Sequence, residues 1–301
     1  MKTTIFRHPW RVLAGMSVLL LTVAPLAAMP TVKTISGGPS YGHVNGSTSL
    51  AARFHTPVGL AMDPSGGFMY VADFGNNVIR VLDLGADNTF DFATAGITNP
   101  IGVAVDSDGN VYVLNRGNGR NGSVVRFDDY GNPYPLAASV SGLTNANGIA
   151  LDRLANIYLT VSNKVVKITP AGVRTTLATI THKGASLQGI AVQDDHWLAV
   201  CDYTSNGIVR INLDTGVATN LTGFNGPGDH FGTKAYAKFN HPYGIAAAGG
   251  GLLIVSDYSN NRVKVVDSAG TVTNLYGVAS SGARPLFHAR GTPPPRAVTL
   301  P

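Results

Sequence analysis

Past residue 30 the chain is built from short apolar runs of about five or six residues, each closed by Asp, Asn, Ser, Gly or Pro. Apolar positions spaced three and four apart, the mark of an amphipathic helix, do not recur. Residues 101–129 show the unit most plainly: IGVAVD, the turn SDGN, VYVLN, a polar loop, then SVVRFDD. Each run is strand-length, rich in β-branched residues and bounded by turn formers, so successive runs predict antiparallel hairpins.

The unit repeats. Aligned on one glycine, the first strands are PVGLAMD (Gly59), PIGVAVD (Gly102), ANGIALD (Gly148), LQGIAVQ (Gly189) and PYGIAAA (Gly244), at intervals of 43, 46, 41 and 55 residues. Second strands follow as FMYVAD, VYVLN, NIYLTV, WLAVCD and LLIVSD, third strands as VIRVLD, SVVRF, VVKITP, IVRIN and RVKVVD, and fourth strands as TTLAT, ATNLTG and TVTNLYG. Four strands in each repeat of this length predict an all-β protein whose repeats are the blades of a β-propeller.

The first residues do not fit this pattern. MKTTIFRHPWR carries Lys2, Arg7 and Arg11 without an acid and runs into VLAGMSVLLLTVAPLAA, which reads as a secretory signal peptide over residues 1–28, the alternative being an uncleaved anchor. The mature chain is then expected to be exported, periplasmic or extracellular, with no transmembrane span. Removing that segment leaves 19 basic against 17 acidic residues and lowers the formal charge from +5 to +2. No basic run remains to track a phosphate backbone, so nucleic acid is not an expected partner. Cys201 is the single cysteine, so stability cannot rest on an internal disulfide. Residues 29–277 form the expected propeller, and residues 278–301 a Pro-rich tail.

The repeats resemble NHL repeats, whose pattern joins [FL]-x-x-P-x-G-[IVL]-A-x-D to Y-V-x-D-x-x-N-x-[RK]-[IV]. ARFHTPVGLAMDPSGGFMYVADFGNNVIRVLD and AKFNHPYGIAAAGGGLLIVSDYSNNRVKVVD carry the resemblance most strongly, and it extends over residues 31–277. It implies four-stranded NHL-like blades, of which five are clear. VKTIS (32–36) reads as a fourth strand preceding the first blade, and PRAVTLP (295–301) as a first strand with nothing after it. Either a reduced sixth blade is split between these segments or five blades close the ring. The resemblance favours six positions with one incomplete.

Side chains just before the repeated glycine are expected to ring the axis: Val58, Ile101, Asn147, Gln188, Tyr243 and, in the tail, Arg296. This ring holds neither carboxylate nor histidine. In peptidyl-hydroxyglycine lyases, which share the NHL-like fold, histidines after the proline bind zinc, but Val58, Ile101 and Tyr243 stand there. Gluconolactonase-like lactonases use Glu, Asp and Asn for calcium; Asn147 resembles their N-G-[IL] element without an acidic partner in the ring, and one amide is too weak a calcium ligand. The tryptophan-rich W-F-T-E strand ends of virginiamycin-type lyases are missing. No catalytic or metal-binding set is therefore expected and no cofactor, calcium being the first candidate if one is bound.

Asn147, Gln188, Tyr243 and Arg296 remain as channel-mouth candidates for a ligand. The two long insertions, 37–54 and 223–239, supply His43, Phe224, Asp229, His230 and Tyr236 as loop contacts, since long loops on a rigid scaffold often carry function. His241 and His55 are out of register and read as loop punctuation. Asp73, Asp202 and Asp257, with Asn115 and Thr160 in the other blades, read as turn-bonding residues. The third-strand cations Arg80, Arg126, Lys167, Arg210 and Lys264 read as packing stems. The expected function is a binding or interaction scaffold for a protein, a cell-envelope polymer or a small ligand; the alternative is a lactonase-like or lyase-like enzyme acting at the central channel.

Overall fold

The computed structural model describes residues 34–47, 51–118, 121–136 and 140–277. The expected signal peptide, and the tail with Arg296, lie outside the described residues.

Five antiparallel blades follow one another. Blade 1 contains β1 (Gly46–Ser47), β2 (Pro57–Met62), β3 (Phe68–Asp73), β4 (Val78–Asp83) and β5 (Asn88–Ala93), with β1 added outside β5. Blade 2 contains β6 (Pro100–Val105), β7 (Val111–Asn115), β8 (Ser123–Phe127) and β9 (Pro133–Tyr134). Blade 3 runs through β10 (Ala146–Leu151), β11 (Ile157–Val161), β12 (Lys164–Ile168) and β13 (Arg174–Thr179). Blade 4 runs through β14 (Leu187–Val192), β15 (Trp197–Asp202), β16 (Gly207–Asn212) and β17 (Ala218–Thr222). Blade 5 holds β18 (Pro242–Ala248), β19 (Leu252–Asp257), β20 (Arg262–Val266) and β21 (Val272–Tyr276).

Within each blade the period-two alternation separates two apolar faces, one for each neighbour. Tyr70, Ile79 and Val81 of blade 1 meet Val103, Val113 and Phe127 of blade 2. Leu114 of blade 2 lies with Ile149 and Leu159 of blade 3, and Tyr158 and Val165 of blade 3 with Ile190 and Val200 of blade 4. Ala199 and Ile208 of blade 4 close on Phe239, Leu253 and Val255 at blade 5.

Every inner strand carries a bulge at the repeated glycine, where the ladder slips between Pro57 and Leu60, Pro100 and Gly102, Ala146 and Gly148, Leu187 and Ile190, and Pro242 and Ile245. The glycine is required by the next blade. A Cβ on Gly102 would sit 2.7 Å from Ile149 Cγ2, and one on Gly189 would sit 2.6 Å from the Tyr243 carbonyl oxygen.

The seam between blades 5 and 1 is different. Inner strands pack side by side from β2 through β6, β10 and β14 to β18, with no comparable packing of β18 on β2 among the described residues. Leu60 is 62% exposed, whereas its counterparts Val103, Ile149 and Ile190 are 5%, 8% and 6% exposed. Among the described residues the ring thus has five blades and one unsealed side.

Candidate functional site

The bulge places Val58, Ile101, Asn147, Gln188 and Tyr243 at one level, at the loop end of the inner strands, each half-buried. Asn147 Nδ2 donates to the Leu187 carbonyl at 2.9 Å, fastening blade 3 to blade 4, and Gln188 Nε2 donates to Ser186 Oγ at 3.2 Å. Two of the three channel-mouth candidates in view therefore have amide donors engaged by the scaffold. Tyr243 instead joins a run of rings. Tyr203 lies 4.4 Å from His241 and 6.3 Å edge-on from Tyr243, which lies 6.2 Å from Tyr258. All four rings are half-buried, giving a continuous aromatic arc over blades 4 and 5 at the loop end.

Local backbone chemistry fixes this arc. Tyr203 and Tyr258 directly follow Asp202 and Asp257, the last residues of their second strands. Asp202 Oδ1 accepts from the backbone N–H of Ser186 and Ser205, and Asp257 Oδ1 from that of Asn240. His241 sits at φ 56°, in the left-handed region also occupied by Thr56, Asn99 and Asn145 just before three of the other four inner strands. Its backbone N–H donates to Asn206 Oδ1, and its Nδ1 lies 3.0 Å from Ser259 Oγ.

The turn-bonding carboxylates behave alike. Asp73 accepts from the His55 N–H and from Asn76 Nδ2, and burial pushes its carboxyl above the usual range against those bonds and Arg80. Thr160 is one place out of this series. Ladder partners equate Val161, opposite Ala146, with Asn115, opposite Pro100. Thr160 instead receives the Gly148 N–H at 2.8 Å, as Ser256 receives that of Gly244 at 2.7 Å, and so braces the bulge.

The third-strand cations divide between the two faces of the sheet. Arg80 and Lys264 pair with Val71 and Val255, are wholly buried, and meet Asp73 and Asp257 at 3.4 and 2.6 Å. Arg126, Lys167 and Arg210 pair one residue further along and lie over the rings of Tyr112 and Tyr134, Tyr158, and Trp197. Offset by one position, they form no single belt.

The long loops serve the two buried cations. Arg80 donates to the Val44 and Arg53 carbonyls and to Asn45 Oδ1, while its Nε lies 2.9 Å from Asp91, which His43 also contacts at 2.9 Å. Lys264 donates to the Lys238 carbonyl and pairs at 3.1 Å with Asp229, which also takes Arg262 Nε at 2.6 Å. Phe224 packs beside His182 at 4.7 Å. The structure thus packs Phe224 against His182 and engages Asp229 with the blade 5 cations, while His43, exposed like His230 and Tyr236, contacts Asp91. His230 Nδ1 is 2.7 Å from the Phe231 carbonyl, and Tyr236 stands 67% exposed.

A cleft of about 270 Å³ between blades 2 and 3 is lined by Asp106, Tyr112, Arg126, Leu154 and Pro170, with Asp106 bonded to Asn110 and Tyr112. Among the described residues no three of His, Cys, Asp or Glu are grouped as a metal site would need, and no helix is long and apolar enough to cross a membrane.

Tyr203 and Tyr258 were not singled out in the sequence, and His241 was read there only as loop punctuation. The available signal was an aromatic directly after the second-strand Asp, in D-Y-T and D-Y-S, which the turn reading of the acid overshadowed.

The NHL repeat pattern matches residues 98–120 and 239–266. No curated protein sequence matches the chain. Among solved structures, a nidogen–laminin complex aligns at 19% identity over 74% of this chain and 80% of that one, with TM-score 0.60. An auxiliary nutrient binding protein from Bacteroides thetaiotaomicron aligns at 15% identity over 80% of this chain but 63% of its own length, with TM-score 0.67. Virginiamycin B lyase from Staphylococcus aureus aligns at 18% identity over 76% and 72% of the two chains, with TM-score 0.53. At these identities the likeness is one of fold.

Proposed function

The chain is an NHL-repeat β-propeller, and from that premise we propose that it is a binding scaffold whose recognition surface is the aromatic arc at the loop end of blades 4 and 5. The arc of Tyr203, His241, Tyr243 and Tyr258 carries the reading. These rings are half-exposed on a rigid sheet end, and Tyr presents large contact area at low conformational cost. Asn147 and Gln188 border the arc with amide oxygens that suit a hydroxyl-bearing ligand. The ligand class is a ring-bearing molecule, with saccharide units of a cell-envelope polymer as the first to test, reached by an exported chain.

Binding of soluble envelope saccharides, measured by titration calorimetry, provides the test. Tyr203→Ala and Tyr258→Ala are each expected to weaken binding by about threefold to tenfold, the equivalent of roughly 0.5–1.5 kcal/mol per aromatic contact. Unchanged affinity in the combined Tyr203→Ala, Tyr243→Ala, Tyr258→Ala protein, with its fold intact by circular dichroism, sinks the reading. The same preparations, assayed for lactone opening with added calcium, test the alternative, and turnover there would replace the scaffold reading with an enzymatic one.

A further inference from the structure

We propose that the cleft between blades 2 and 3 is a second ligand site, separate from the aromatic arc, and that it takes a free aliphatic α-amino acid. The cleft exists because the outer edge of blade 2 is interrupted. β9 is two residues long, against six in β13 and five in β17, and the edge returns only at Val140, which bridges to Val124. Arg126 of β8 lines the opening, between its cross-strand partners Tyr112 on β7 and Tyr134 on β9.

Arg126 supplies an uncompensated charge. Its guanidinium carbon lies 5.4 Å from the centre of the Tyr112 ring and 4.4 Å from that of Tyr134, so the two rings hold it in one place. Its Nε is buried without a hydrogen-bond partner, and among the described residues no carboxylate pairs with the guanidinium. The wholly buried cations differ, since Arg80 and Lys264 each meet two aspartates. Asp106, on the cleft wall, has its oxygens occupied: Oδ1 accepts from the backbone N–H of Asp108 and Asn110, and Oδ2 from Asn110 Nδ2 and the Tyr112 hydroxyl. A fixed guanidinium without a counter-charge receives a carboxylate through parallel N–H donors.

The rest of the lining defines the rest of the ligand. Val140, Ile157 and Ile168 make a buried apolar wall, and Leu154, 76% exposed, stands at the rim with the exposed Asp108. Asp108 repels a plain carboxylate, but an ammonium group on the same molecule turns that repulsion into attraction, so the two charges select a zwitterion. At about 270 Å³ the cleft is smaller than the roughly 300–1,000 Å³ of sites for drug-sized molecules, which suits a single amino acid.

The test is titration calorimetry on the full chain with L-leucine, with isocaproate, which lacks the ammonium group, and with isoamylamine, which lacks the carboxylate. Leucine is expected to bind with a Kd of about 1 mM or below, and each of the other two at least about tenfold more weakly. Arg126→Met keeps an apolar stem between the tyrosines and is expected to weaken leucine binding at least about tenfold, with circular dichroism unchanged. Asp108→Lys alters an exposed side chain and is expected to reverse the preference, isocaproate then binding more tightly than leucine. Leucine binding absent at about 10 mM, equal binding of leucine and isocaproate by the unaltered chain, or affinities unmoved by either substitution would overturn the proposal. The combined Tyr203→Ala, Tyr243→Ala, Tyr258→Ala protein is expected to bind leucine normally. Loss of leucine binding there would assign it to the arc and equally overturn the proposal.

Discussion

At the scale of single residues, the buried charges govern what the molecule tolerates. Lys264 and Asp257 are both inaccessible and 2.6 Å apart, so removing one strands the other in a low-dielectric interior. Lys264→Met is expected to cost about 3–5 kcal/mol in urea unfolding, and a loss below 1 kcal/mol would show that water reaches Asp257. Tyr112 offers a pH counterpart. Burial, reinforced by the nearby Asp106 carboxylate and opposed by Arg126, pushes its phenol from 10 up to about 12. The folded state therefore holds this proton more tightly than the unfolded one. Its contribution is intact below pH 10 and falls as pH rises through the window from 10 to about 12. Tyrosinate absorbance should show Tyr112 ionising late, and Tyr112→Phe should flatten the alkaline decline in stability. The turn-bonding role of Asp73 and Asp257 was legible in the sequence because an Asp before a Gly- or Asn-bearing turn has few other uses. The division of the cations was not. Arg80 lies seven positions after Asp73 and Arg210 eight after Asp202, although the turns are equal, with Val78 and Gly207 opposite the two acids; the cation stands one position further along the third strand in blade 4 and so on the other face of the sheet.

Among the elements, the D-x-x-N turn explains why blades 1 and 5 look alike and the blades between them do not. Asn76 Nδ2 bonds Asp73 and the Gly42 carbonyl, and Asn260 Nδ2 bonds Asp257 and the Gly228 carbonyl. Each asparagine thus pins the long loop that leads into its blade, and the blades reached by short connections have no such loop to pin. Asn260→Ala is expected to cost about 1–3 kcal/mol and to speed hydrogen exchange over residues 224–238 ahead of the rest of the blade. Exchange rising uniformly would count against the pinning role. The long loops were visible in the sequence by their length, but their packing role was not, since it depends on cations that lie far along the chain. The inner-strand glycines give a sharper expectation. A methyl at Gly189 would meet the Tyr243 carbonyl oxygen at 2.6 Å and the Ile245 nitrogen at 2.9 Å. Gly189→Ala should therefore lower stability by about 1–3 kcal/mol, measured by thermal unfolding.

For the whole molecule, the blade pattern was readable because each repeat carries its own punctuation, whereas the seam was not, because it is defined by what two distant repeats fail to touch. The exposed Leu60 and Gly244, on which a Cβ would meet only Ser256 of its own blade, are complementary to each other in the way that Ile149 is complementary to Gly102. They lie on opposite sides of the seam, and this gives the arc a direction. Two copies meeting through these surfaces could not satisfy both across a two-fold axis. They would meet head to tail, with one surface of each pair always left for a third chain. Wherever this seam is left open, the protein should accordingly sediment as a concentration-dependent ladder of species and not as a dimer.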